Sequence, residues 1–198
     1  LHISEQMKEV DACVQYLGAR PVEWLTTETE VGSNCHLVHS THITNDEMNA
    51  IIRADANVVI CPSTEGNLGD GFFPISDYIK ASGRWCIGSD SHITLSPFEE
   101  VRLLDYGQRL ASQQRNVLLN GQPGDSAELA FQTIIDNGRQ ATGKDARNFF
   151  EVGEDFDALI VDGRSPLMNR ASDEGRLATI IYALDSRSIN GHIKRGEW

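Results

Sequence analysis

Basic residues are scarce: 17 Lys and Arg stand against 29 Asp and Glu, and the formal net charge is −12. A protein that grips a phosphate backbone needs clustered cations, and no basic cluster stands out, so composition argues against a nucleic-acid partner. Long apolar runs are missing too. None approaches the roughly 18 residues that a membrane-spanning helix requires, which predicts no membrane partner. The four cysteines, Cys13, Cys35, Cys61 and Cys86, form no CxxC pair. That disfavours a zinc knot or a disulfide framework and predicts buried free thiols in a reducing cytoplasm. Internal repeats and low-complexity segments are absent as well. What remains, 198 residues with 40% hydrophobic and 23% charged side chains, is the composition of an ordinary globular chain, enough for one good core and a small appendage.

Four short apolar runs alternate with helical patterns. Strands are expected near residues 1–3, 35–39, 57–61 and 85–89, and their lack of polar alternation fits parallel strands covered on both faces. Between them, Val10, Cys13, Val14 and Leu17 recur at helical spacing until Gly18 stops the helix, and Pro21 starts a second helix carrying Trp24 and Leu25. Thr44 to Glu47 reads as a capping box before Met48, Ile51 and Ile52, and Ser96-Pro97-Phe98-Glu99 caps a long helix. "PSTEGNLGDGFFP" reads as a Gly-rich loop too long for a simple turn; Gly66 to Gly71 would bring backbone close to a substrate or merely turn the chain into the next helix. Residues 127–143 read as a helix ended by Gly143, 120–125 as a surface loop, and from Phe149 onward as short strands in a small β appendage.

Polar groups with chemical potential sit where these strands end. His2 and Glu5 follow the first, His39 ends the second and Asp90 ends the fourth. In a parallel β/α barrel the C-terminal strand ends share one face, where the active site is built. Each residue alone has a plainer explanation. A lone strand-end histidine is more often a hydrogen-bonded structural group than a ligand, Asp90 could cap the next segment, and Glu5 could offset a helix dipole. His36, inside its strand, reads as structural, His192 as solvated, and His42 and His92 stay open.

As an ordered set, "HISE", "LVHSTH" and "GSDSH" resemble the deaminase branch of the amidohydrolase superfamily. Within it, "GARPVEWL", "CPSTEGNLGDGFFP", "GSDSHITLSPFEEVRLLDYGQRL" and "VGEDFDALIVDG" are similar to the formimidoylglutamate deiminase family. The resemblance implies the second half of a (β/α)8 TIM barrel over residues 1–148 and part of a small β-sandwich over 149–198. The barrel's first half, with an HxH metal motif that occurs nowhere in this sequence, would precede Leu1. It further implies His2 and Asp90 as Zn2+ ligands, Glu5 as proton carrier, and His39 as the partner that positions the attacking hydroxide, so that Glu5, His39 and Asp90 are catalytic. The implied reaction is zinc-dependent hydrolysis of N-formimino-L-glutamate, a small-molecule substrate, to N-formyl-L-glutamate and ammonia in cytoplasmic histidine breakdown. The family allows a homodimer. Residues gripping the substrate carboxylates would lie mostly upstream. Alternatives are a purine or thioadenosine deaminase of the same branch, or a catalytically silent barrel scaffold; three converging polar groups that are costly to bury weigh against the scaffold.

Overall fold

A computed structural model describes residues 1–119, 124–144, 150–153 and 155–198. Its first part alternates strand and helix: β1 (His2–Ile3), α1 (Met7–Leu17), α2 (Pro21–Glu28), β2 (His36–His39), α3 (Asn45–Arg53), β3 (Asn57–Ile60), α4 (Pro62–Leu68), α5 (Ile75–Lys80) and β4 (Arg84–Ile87). The four strands form one sheet in the order β1-β2-β3-β4, and every neighbouring pair is parallel. Ile3 pairs with His39, Val38 with Val59 and Ile60 with Ile87, so the C-terminal strand ends line up on one edge. This is the parallel sheet the strand pattern predicts, and it matches the half barrel that the family resemblance implies.

The local signals act where they were read. Gly18 ends α1 at φ 75°, a left-handed conformation that costs a glycine little. Thr44 and Glu47 exchange the two bonds of a capping box, 3.2 Å from the Glu47 amide to Thr44 Oγ1 and 2.8 Å from the Thr44 amide to Glu47 Oε2. The sheet's interior is apolar. Val58 and Ile60 of β3 and Leu37 of β2 are at most 1% exposed and share a core with Val22, Ile51, Tyr78 and Trp85. Each such aliphatic side chain contributes about 1.5–3 kcal/mol by leaving water.

Two long helices follow, α6 (Pro97–Ser112) and α7 (Ser126–Ala141), then β5 (Ala158–Val161), α8 (Pro166–Arg170), α9 (Arg176–Ala183) and β6 (Ile189–Ile193). Ser96 caps α6 by accepting from the Glu99 amide at 3.4 Å. β5 and β6 pair antiparallel. The loop expected at 120–125 and the division expected at 148/149 fall largely on residues outside the described set.

Two readings of the chain change here. Pro62–Leu68, read as part of a Gly-rich loop, is helical: Pro62 supplies a preset φ at its first turn, the Cys61 amide donates to Glu65 Oε1 at 2.8 Å, and Gly69 closes it at φ 72°. The tail is not only strands. α9 lies between its two strands and packs on α6 and α7, with Ile181 fully buried. Arg102 of α6 donates to the Ile181 and Leu184 carbonyls at 2.6 and 2.5 Å, satisfying the end of α9. Of the cysteines, all free, Cys61 and Cys86 are buried as expected, while Cys13 and Cys35 are only half-buried.

Candidate active site

Parallel register brings the four singled-out residues together at one sheet edge. His2 Nε2 lies 3.2 Å from Asp90 Oδ1, although 88 residues separate them in sequence. His39 Nε2 lies 3.5 Å from Glu5 Oε1 and 3.7 Å from Asp90 Oδ2. The two imidazole rings are 5.4 Å apart. His39 is fully buried, whereas the His2 side chain is 63% exposed.

The backbone at this edge is strained. Ser4, His39, Ser40 and Asp90 have φ of 51°, 70°, 53° and 41°, in the left-handed region that non-glycine residues avoid at roughly 1–2 kcal/mol each. Glycine would relieve it, so a His and an Asp held there are positioned at the expense of stability. Backbone bonds hold the turns: Ser40 donates to the Ile3 carbonyl at 3.0 Å and His42 to the Ser4 carbonyl at 3.0 Å. Glu9 accepts from the Ser4 and Glu5 amides, both at 2.9 Å, which anchors the segment presenting Glu5.

Sequence reasoning passed over two carboxylates. Glu65, on α4 and 5% exposed, places Oε1 3.1 Å from His39 Nδ1. Asp70, 6% exposed, accepts from Gln6 Nε2 at 2.7 Å through Oδ1, next to Glu5. Pro62 directly after a strand, with a glutamate three residues on, was the signal for a helix start that would have drawn Glu65 inward. Of the other histidines, His36 sits at the far end of β2, where Asn57 Nδ2 approaches its Nδ1 at 3.3 Å; His42 is half-buried, and His92 and His192 are exposed.

Charge crowding shifts the groups that matter. Glu5 is held above the ordinary carboxylate range, first by loss of solvent and then by Asp70 and Asp90, with His39 opposing. Burial disfavours the charged form of His39, yet the Glu65 hydrogen bond and the charges of Glu5, Glu65 and Asp90 outweigh it, so its net shift is upward. A carboxyl that binds its proton more tightly than usual, beside an imidazole that protonates more readily than usual, suits general acid–base chemistry.

The donor set also fits a metal. One ligand atom from each of His2, His39 and Asp90 lies within 4.8 Å of the others, and His39 Nε2 is buried with no hydrogen-bond partner among the described residues. Imidazole nitrogen and carboxylate oxygen are the donors zinc takes in catalytic sites.

The amidohydrolase family matches residues 1–198. The chain belongs to that family. This amidohydrolase is 38% identical, over 198 residues, to a formimidoylglutamate deiminase from Pseudomonas aeruginosa, covering 100% of the present chain and 44% of the relative. Among solved structures it is similar to an amidohydrolase from Brucella melitensis, with TM-score 0.85 and 33% identity, covering 98% of this chain and 42% of that one. An adenosine deaminase from Xanthomonas campestris with bound zinc superposes with TM-score 0.86 at 25% identity, covering 100% of this chain and 44% of that one. The chain thus spans less than half the length of the relatives it matches, and its relatives include hydrolytic deaminases.

Proposed function

We propose that the intact protein hydrolyses N-formimino-L-glutamate to N-formyl-L-glutamate and ammonia in the cytoplasm, using zinc. The observation that carries this reading is the convergence of His2, Glu5, His39 and Asp90 on one strand-end edge, in a chain 38% identical to a formimidoylglutamate deiminase.

In this proposal His2 and Asp90 hold the zinc with ligands from outside this chain, and Glu5, His39 and Asp90 act on the substrate. Zinc, when bound, brings the pKa of a coordinated water to about 7. The chain's own residues do the rest. Asp90 faces both His2 and His39 and is placed to accept a proton from the nucleophile. His39 directs Nε2 to the same point and hydrogen-bonds the oxygen on which charge develops. Glu5, inclined by its surroundings to hold a proton, delivers it to the departing nitrogen so that ammonia rather than an amide anion leaves. A formimino group is amidine-like and cationic, so the acidic side chain of Asp70 beside Glu5 attracts it before reaction.

A second reading, a deaminase acting on an adenosine-type nucleoside, is favoured by the likeness to the Xanthomonas campestris adenosine deaminase. Ammonia release measured with N-formimino-L-glutamate, adenosine, 5-methylthioadenosine and guanine separates the two. Turnover confined to N-formimino-L-glutamate supports the first reading. Preference for a purine transfers the assignment to the second.

A further inference from the structure

We propose that Glu65 is the positioning residue for His39, fixing the imidazole with its proton on Nδ1 and its Nε2 turned toward Glu5 and Asp90. Three contacts carry this. Glu65 Oε1 is 3.1 Å from His39 Nδ1. The same oxygen accepts the Cys61 amide at 2.8 Å. A backbone amide can only donate, and an oxygen already accepting one is poorly placed to carry a proton of its own, so the proton between Glu65 and His39 belongs to Nδ1. On the other side of the ring, Nε2 has no hydrogen-bond partner among the described residues and faces Glu5 at 3.5 Å and Asp90 at 3.7 Å. The neutral ring therefore presents its lone pair to the site, and the protonated ring presents a donor there.

Glu65 is itself held rigidly. It sits on the first turn of α4, where Pro62 and the Cys61 amide fix the helix start, and its side chain is almost fully buried. Thr64 beside it shares a 2.8 Å hydroxyl contact with Ser91, next to Asp90. One short helix thus buttresses both His39 and the Asp90 turn. A carboxylate behind a site histidine selects the tautomer and orientation of the ring, and removing such a partner costs roughly 10- to 100-fold in activity.

The kinetic arm of the test rests on the proposed deiminase reaction, and the spectroscopic arm does not. In the intact protein with 15N-labelled histidine, the His39 ring is assigned by its loss in His39→Asn. Its neutral form is expected to show Nδ1 protonated and Nε2 bare. Glu65→Gln should keep that tautomer, because the Cys61 amide pins the side-chain carbonyl oxygen in place, and should lower kcat modestly through loss of charge. Glu65→Ala should lose the single tautomer and lower kcat roughly 10- to 100-fold with KM little changed. A neutral wild-type ring with its proton on Nε2 and Nδ1 bare overturns the proposal, as does an Ala variant with unchanged tautomer and kcat. Should the Ala variant not fold, the wild-type and Gln spectra decide alone. If the wild type releases no ammonia from N-formimino-L-glutamate, the functional reading fails while the tautomer still decides the role of Glu65.

Discussion

β2 carries a histidine at each end, His36 and His39, three residues apart on one strand, and the two live in opposite chemical worlds. His36 is half-buried, beside Asn57 and near Arg84; burial first, and then the Arg84 charge, hold it below the ordinary imidazole value. His39 is more deeply buried, yet its net shift is upward because Glu65, Glu5 and Asp90 surround it. Burial depresses both rings alike. The carboxylates decide the sign, and they gather only at the C-terminal edge of the sheet. Polar groups at the other edge pair with neutral or oppositely charged neighbours: Asn57 Nδ2 reaches His36 and Cys86, though Asn57 Oδ1 finds no partner among the described residues, and Arg84 bonds the Asp55 carbonyl and carboxylate. Apart from a single ion pair, the side chains named at this edge are neutral, and the other edge gathers the titratable groups of the candidate site.

The largest expected effect lies at the reactive edge. Glu5→Gln keeps size and polarity but cannot deliver a proton, so kcat should fall roughly 10²- to 10⁴-fold with a smaller change in KM. Steady-state ammonia release by the intact protein measures both. A Glu5→Gln enzyme that turns over at the wild-type rate would remove the proposed mechanism and, with it, the contrast between the edges.

Next in size is Asp90→Asn. The substitution preserves shape while weakening a zinc ligand, so metal analysis of the purified protein should show lower zinc content alongside a lower rate. Full zinc occupancy with unchanged turnover would place the ligand set elsewhere.

At the other edge the expected effect is on stability alone. Asn57→Ala removes the amide that meets His36 Nδ1 and Cys86 Sγ in a fully buried position. Leaving a buried acceptor unpaired should cost about 1–3 kcal/mol in denaturant unfolding, with kcat unchanged. A large loss of activity with stability intact would mean that the two edges are not separate after all.

Much of this division was legible in the sequence, because strand ends follow from apolar runs and a parallel sheet collects like ends on one edge. That logic located His2, Glu5, His39 and Asp90, and it read His36, inside its run, as structural. It failed where local signals conflicted. "PSTEGNLGDG" has three glycines in ten residues, which outweigh Pro62 and Glu65 as helix-start signals and hide the carboxylate behind His39. "RLATIIYAL" is short and rich in β-branched and aromatic residues, a pattern that strand and helix share. What makes it α9 is tertiary: the Tyr182 hydroxyl donates to buried Asp105 at 2.5 Å, and Arg102 closes its C-terminal end. Glycine also acts through packing rather than turn formation. At Gly107 an added Cβ would lie 2.6 Å from the Phe72 ring, and Gln108 next to it donates to the Phe73 carbonyl at 2.9 Å. The two segments "GDGFFP" and "LLDYGQRL" are therefore in contact, which no periodicity discloses.

The smallest expected effect concerns pH and isolates His36. Its folded pKa is depressed below the ordinary value of 6.5. Above that value the ring is neutral in both states, and its contribution to stability is fully present. As the pH falls, the unfolded chain takes up this proton first. The unfolded state then binds more protons than the folded state, so stability declines through the window between 6.5 and the lower folded value, and levels off only below it. The groups acting on the ring are the amide of Asn57 on β3, the guanidinium of Arg84 on β4, itself paired with Asp55, and the amino group of Leu1. Replacing His36 by Asn should therefore flatten the acid limb of a stability-against-pH curve just below 6.5 while leaving kcat at neutral pH near wild type. An acid limb that stays as steep in His36→Asn assigns the proton uptake to another group, and a drop in kcat would tie the structural edge to the reactive one.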